Sequence, residues 1–304
     1  MVPSSPRATS RVVLVTGGTS GIGRATAQRL ADEGAALVLV SRSPATLEQT
    51  RRECLARGAR DVLTVTADVR LRAEVEAAFA AALGRFGRLD GVVHAAAVIA
   101  YGRFADLPAD VFDHVVETDI LGTANVARCA LAAFEPEQAG ALVVLGSVLG
   151  KMTAPSMSAY AAGKWAVHGL VRTLQVEARA LPGVHVSLVS PGSVNTPIYQ
   201  LAGSFTGRGG RPPPPVGSAE KAARVVVDAL DRPRRDADVG PANVVMVLGF
   251  RLLPGLFDLL VGPLMRVLGQ GREPQPAGAG NVFEPTPDLE AVHGPWRWWG
   301  GRGG

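Results

Sequence analysis

Apolar positions in the first two-thirds of the chain fall in short continuous runs, separated by longer stretches with helical spacing. Arg11 to Thr16, Ala36 to Val40, Asp61 to Thr66, Leu89 to Ala95, Ala141 to Gly146 and Val184 to Ser190 read as strands. Ile22 to Glu33, a segment opened by Ser43-Pro44, Arg70 to Phe86, Phe112 to Phe134, the stretch around Tyr160 and Lys164, and Ser218 to Leu230 read as helices. The runs do not alternate apolar with polar, which is the pattern of parallel strands covered by helices on both faces. Strand and helix alternating on this scale predict an α/β fold with a doubly wound parallel sheet. Ligands of such a sheet sit at the carboxyl ends of its strands.

The pattern changes near residue 197. Residues 197–217 are rich in Gly and Pro and read either as a mobile lid or as an unstructured linker. Further on, Leu253, Leu256, Phe257, Leu260, Leu264 and Leu268 fall near one helical face. Arg251, Gly255, Asp258, Gly262 and Arg266 fall near another. Such a face caps a substrate pocket or packs between subunits; a bilayer surface is the less favoured alternative. A spanning helix is not expected, because Arg251, Asp258 and Arg266 would each cost about 2.5–3.5 kcal/mol at its centre. The expected organisation is a flexible leader (1–10), a cofactor and catalytic domain (11–240), and an amphipathic extension with a tryptophan-rich tail (241–304).

Composition narrows the class. Of 304 residues 47% are apolar and 19% charged, as in a globular soluble protein. The net charge of +4 is small and the arginines are scattered, which argues against a nucleic-acid partner. Cys54 and Cys129 lie far apart, suit a reducing compartment and offer no metal-ligand spacing. The first residues lack the apolar core of a signal peptide, so a cytoplasmic location is expected.

Candidate chemistry begins directly after the first strand, at Thr16-Gly17-Gly18-Thr19-Ser20-Gly21-Ile22-Gly23. Gly17, Gly21 and Gly23 are spaced to pass from strand to helix while letting a phosphate approach the backbone. The helix start offers free N–H groups to a pyrophosphate. A site preferring NAD usually has an acidic residue at the end of the second strand. Ser41 stands there instead and Arg42 follows, a side chain that can bond a 2′-phosphate. The cofactor expected is therefore NADP(H), with NAD(H) second. Asp68 is placed to accept from an adenine amino group or to cap the helix after it.

Tyr160 and Lys164 are four apart, on one face of a helix and about 6 Å apart along its axis. A free tyrosine has a pKa of about 10. An ammonium about 4 Å away would favour the phenolate by roughly 4 kcal/mol at an effective dielectric near 20. That brings the phenol toward neutrality, so Tyr160 can exchange a proton with an alcohol or carbonyl oxygen while hydride moves between carbons. Ser147, at the end of the preceding strand, can hydrogen-bond the same oxygen.

These motifs, in this order, resemble the short, single-domain branch of the short-chain dehydrogenase/reductase family. The resemblance rests on the glycine turn, on Ser147 thirteen residues before Tyr160, on Tyr160-Ala161-Ala162-Gly163-Lys164, and on Pro191-Gly192-Ser193-Val194-Asn195-Thr196. It covers about residues 10 to 240. It implies a Rossmann-type sheet of about seven strands with a C-terminal helical extension, and a homodimer or homotetramer paired through the helices from Phe112 and Met157. It also implies that Ser147 orients a small, hydrophobic carbonyl or alcohol substrate and Tyr160 is the general acid/base. Lys164 would tune Tyr160 and hold the nicotinamide ribose. Val194 and Thr196 would meet the carboxamide and pyrophosphate. Thr16, Thr19, Ser20, Ile22, Val69, Ala95, Ala96, Pro191 and Gly192 join the cofactor residues.

Two departures stand out. His94-Ala95-Ala96-Ala97 replaces the family's Asn-Asn-Ala-Gly, with His94 read as a structural stand-in. Asp119-Ile120-Leu121-Gly122 stands where the family carries a fourth catalytic residue, an Asn. Asp119 is taken as its counterpart, and a carboxylate there would also weaken the hold of Lys164 on the tyrosine.

Overall fold

The computed structural model describes residues 11–240 and 242–296; the expected leader and the last two tryptophans lie outside them. Seven parallel strands form the central sheet: β1 (Val12–Thr16), β2 (Ala36–Ser41), β3 (Asp61–Thr66), β4 (Gly91–His94), β5 (Gly140–Leu145), β6 (Val184–Pro191) and β7 (Ala237–Val239). Their spatial order is β7-β6-β5-β4-β1-β2-β3. The chain fills one side of β1 with β2 and β3, then crosses to the other side with β4. Register pairs Thr16 with Val40 on one side and with His94 on the other. A crevice therefore opens at the carboxyl end of β1, where the strand order reverses.

Successive strand residues face opposite layers, so each continuous apolar run supplies two cores. Leu14, Val38, Val92, Leu142 and Val186 pack under α3 (Arg72–Phe86), α5 (Gly122–Phe134) and α6 (Ser158–Glu177). Val13, Val15, Leu37, Leu39, Val93 and Val143 pack under α1 (Gly21–Asp32), α2 (Pro44–Arg57) and α8 (Ala219–Asp231). Helix α2 starts as the sequence predicts, with Ser43 accepting from the Thr46 N–H and Pro44 in the first turn.

Sequence and structure part company in three places. The helix expected over Phe112–Phe134 begins earlier, at α4 (Ala109–Val116), and reaches α5 through one wide turn, Glu117–Leu121. In that turn the Gly122 N–H donates to the Glu117 carbonyl five residues back. Such widenings often mark functional sites, and this one carries Asp119. The stretch 197–217 is folded: α7 (Ile198–Leu201) is followed by Gly203–Ser204 pairing with Ala100–Tyr101, and by Arg208–Gly210 pairing with Gln270–Pro274. Finally, Pro254 divides the C-terminal amphipathic segment into α9 (Ala242–Leu252) and α10 (Pro254–Leu268). Among the described residues no helix is long and apolar enough to cross a membrane.

Candidate active site

The glycine turn is fixed by contacts that exclude side chains. Gly17 has φ +67°, and a Cβ on it would lie 2.8 Å from the Ala96 nitrogen. A Cβ on Gly23 would lie 2.1 Å from the Gly17 carbonyl oxygen, so only glycine lets α1 start against the turn. Thr16 is buried beneath. Its Oγ1 lies 2.8 Å from His94 Nδ1 and also accepts from the Ala95 N–H at 3.3 Å. Burial pushes the imidazole down to about 3, with the Lys164 charge acting the same way, so His94 is neutral and ties β1 to β4.

A cavity of about 620 Å³ runs from this turn to the catalytic candidates. Gly17, Thr19, Ser20, Gly21, Ile22, Gly23, Ser41, Arg42, Asp68, Val69, Ala95, Ala96, Ser147, Tyr160, Lys164, Pro191, Gly192, Val194 and Thr196 all line it. Thr16 and Asp119 lie behind the wall, fully or almost fully buried.

At the catalytic end, Ser147 lies beside the Tyr160 phenol and favours its ionised form, and its Oγ accepts from the Leu149 N–H at 3.1 Å. The buried Lys164 ammonium donates to the Leu145 carbonyl at 3.3 Å and lies 4.0 Å from Asp119 Oδ1. It sits 5.4 Å from the centroid of the Tyr160 ring. A Cβ on Gly163 would fall 2.8 Å from Asp119 Cβ, so this glycine lets α6 close on the wide turn.

The charge balance differs from the one expected. Burial raises the Tyr160 phenol and the Asp119 charge adds to it, while Ser147 opposes. Lys164 spreads its field over the ring face and the carboxylate, so these side chains alone do not bring the phenol to neutrality. Asp119 itself is raised to about 6 by burial, against the pull of Lys164.

At the adenosine end, Thr19 Oγ1 and Ser41 Oγ are 2.9 Å apart. Asp68 accepts from the Arg70 N–H at 2.9 Å and from its guanidinium at 2.9 Å, so its carboxylate is engaged locally; it does not cap α3, which starts at Arg72 with Leu71 at the N-cap. Arg42 lines the cavity, but its terminal nitrogens donate to the carbonyls of Asn281, Val282 and Phe283 at 2.6 to 3.1 Å.

Sequence reasoning missed three groups. His168 accepts from the Ser147 N–H at 3.4 Å, and burial pushes its imidazole down to about 4. The spacing Tyr160, Lys164, His168, each four apart, was the available signal. Tyr101 and Tyr199 join Tyr160 in the same cavity, so all three tyrosines of the chain meet there. Asn281 and Glu290, from the C-terminal segment, line the cavity together with the glycine turn. By contrast, the predicted apolar face is found: Leu253, Leu256, Phe257, Leu260, Leu264 and Leu268 all line the cavity. Among the described residues no cluster of His, Cys, Asp or Glu is placed to hold a metal.

A nucleotide-type crevice with a Ser, Tyr and Lys at one end defines an oxidoreductase-type site. The chain belongs to the short chain dehydrogenase family, whose model matches residues 11–205. It is 34% identical over 203 residues to human dehydrogenase/reductase SDR family member 7, covering 65% of this chain and 60% of that one. It is 39% identical over 201 residues to levodione reductase from Leifsonia aquatica, covering 65% and 75%. The crystal structure of levodione reductase superposes with a TM-score of 0.69 at 32% identity, covering 79% of this chain and 99% of that one. An alcohol dehydrogenase from Thermococcus sibiricus, complexed with 5-hydroxy-NADP, gives 0.67 at 28% identity, covering 76% and 96%.

The buried Asp119 carries a pH signature. Its pKa is higher in the folded chain than unfolded, so its share of stability is full below about pH 4 and is lost as pH rises through about 6. Asp119→Asn lacks this loss. Relative to the parent, its unfolding free energy should gain roughly 1–3 kcal/mol between pH 4 and pH 7, measured by urea titration. A pH-independent difference would contradict the raised carboxyl.

Proposed function

We propose that this chain is an NADP(H)-dependent oxidoreductase interconverting a secondary alcohol and a ketone or aldehyde, with Tyr160 as the proton donor and acceptor. The observation that carries the reading is one cavity shared by the glycine turn and by Ser147, Tyr160 and Lys164. The residues fit a dinucleotide: the turn admits no side chain, the start of α1 faces the cavity, and Arg42 and Lys164 supply positive charge. A bound nicotinamide cofactor supplies or accepts the hydride.

The chain's own groups do the rest. Ser147 holds the substrate oxygen against Tyr160. The phenolic oxygen gives up or takes the proton, and Lys164 stabilises its charged form through the ring face. The positive charge of an oxidised cofactor acts in the same direction, toward lowering a phenol that burial and the Asp119 charge hold high. Asp119 moderates Lys164 and stays behind the wall. The apolar face of α10 lines the cavity and suits a hydrophobic substrate. The reading extends to a cytoplasmic homodimer or homotetramer, consistent with exposed Leu121, Trp165 and Val176 on the pairing helices. No nucleic-acid partner is part of it.

A second reading has an observation of its own. Leu252, Leu259 and Val267, on α9 and α10 outside the cavity lining, are each about 70% exposed. They favour an enzyme that works at a bilayer surface on a lipid carbonyl.

Three measurements follow. Tyr160→Phe should lower kcat by about 10²–10⁴ with NADPH binding kept, followed as consumption of reduced cofactor with apolar ketones; undiminished turnover would sink the acid/base role. NADPH should outperform NADH, and Arg42→Leu should cost about 1.5–3 kcal/mol with NADPH only, roughly 10–100-fold in kcat/KM; equal loss with both cofactors would remove Arg42 as the phosphate reader. On the second reading, the chain co-sediments with lipid vesicles and loses this on deletion of residues 242–268; a chain that stays in the supernatant ends that reading.

A further inference from the structure

We propose that residues 278–296 form a strap across the dinucleotide cleft, completing its adenosine wall and holding a bound dinucleotide until the strap opens. The proposal rests on the dinucleotide reading above. Nothing in the glycine, serine, tyrosine or lysine motifs requires such a segment.

The strap is anchored on both banks of the cleft. On the substrate side, Gly278 and Ser204 exchange N–H···O bonds at 2.8 and 3.0 Å, and the Asn281 N–H donates to the Leu201 carbonyl at 2.8 Å. Gly280 turns there at φ +58°, where a Cβ would fall 2.3 Å from the Leu201 carbonyl oxygen. Val282 is fully buried, and the Phe283 ring packs edge-on against His114. On the cofactor side, Thr46 Oγ1 donates to the Glu290 carboxylate at 2.5 Å, and the Gly21 N–H donates to the Ala291 carbonyl at 2.8 Å. The Trp296 N–H then reaches Asn195 Oδ1 at 3.3 Å. Between these anchors lie the three carbonyls that hold Arg42.

Two roles are open to such a segment, a plug or a roof. The cavity decides between them. It persists beneath the strap, lined by Gly17, Gly21 and Gly23 on one side and by Asn281 and Glu290 on the other. Room for the ligand remains, so the strap walls the site rather than fills it. Arg42 is held by neutral acceptors and still lines the cavity. A dinucleotide in this space is covered from the substrate lid to the glycine turn, and its release requires the Glu290 and Ala291 bonds to break.

The test is NADPH release from preformed complex, followed by its fluorescence after rapid mixing with excess NADP⁺. The full chain is compared with a chain ending at residue 277 and with the double variant Thr46→Val/Glu290→Gln. We expect release at least tenfold faster from the truncated chain and several-fold faster from the double variant, whose thermal unfolding midpoint stays near the parent's. If truncation unfolds the chain, by circular dichroism, the double variant decides. Release rates within twofold of the parent overturn the strap while leaving the dinucleotide reading intact. Truncation that tightens NADPH binding without faster release overturns it in favour of a plug. Absence of NADPH binding to the full chain overturns both readings.

Discussion

A buried ammonium shared between a carboxylate and an aromatic ring sets the character of this site. Lys164 and Asp119 stand 4.0 Å apart with almost no solvent on either. At an effective dielectric near 20 their attraction is worth about 4 kcal/mol, while taking each charge out of water costs several kcal/mol. The direction of the Asp119 shift shows which effect wins: burial lifts the carboxyl in spite of the lysine. The pair therefore holds a proton less firmly committed than in an ordinary ion pair. Burial and the Asp119 charge both raise the Tyr160 phenol, and in the absence of further positive charge it stays protonated. In the proposed mechanism, phenolate formation is then conditional on a cation in front of the ring, which would link proton transfer to an assembled complex.

That cluster exists only because backbones come unusually close. Gly163 lets α6 press on the wide turn at Asp119, and Gly122 lets the same turn press on Val69, where a Cβ would sit 2.7 Å from Val69 Cγ2. Val69 lines the cofactor end of the cavity. One wide turn thus couples the two ends of the cleft through close packing. His168 extends the arrangement. It fills the space left by Gly146 and Gly150 and fixes the backbone of Ser147 from behind.

The sheet was largely legible from the chain, and the reason is physical. Strands buried on both faces must be continuous apolar runs, so β1, β2 and β4 to β6 announce themselves within a residue or two. β7 does not: Ala237–Val239 is three residues long, carries the exposed Asp238 and sits at the sheet edge. Tyr160, Lys164 and Ser147 were legible because their chemistry demands particular side chains at fixed spacing. The wide turn was not, since the apolar periodicity continues through it. The strap was invisible for a different reason. Its grip on Arg42 and Gly21 is made by backbone carbonyls, which every residue possesses and no sequence pattern advertises.

The C-terminal extension draws these strands of argument together. Its first part, α9 and α10, gives the catalytic end an apolar wall; its last part gives the adenosine end a polar one. The segment between them, Gln270–Pro274, pairs with Arg208–Gly210 of the lid. Arg211, just beyond, donates to the Val267 and Leu268 carbonyls at 2.9 Å at the end of α10. Lid, helices and strap are thus tied by hydrogen bonds into one connected cover over both binding regions. A motion that opens the adenosine wall strains the same connections that seat α10 over the substrate end. On the proposed reading, the substrate and the adenosine half of the dinucleotide would then bias a single mechanical element, because each is walled by a different part of one continuous segment.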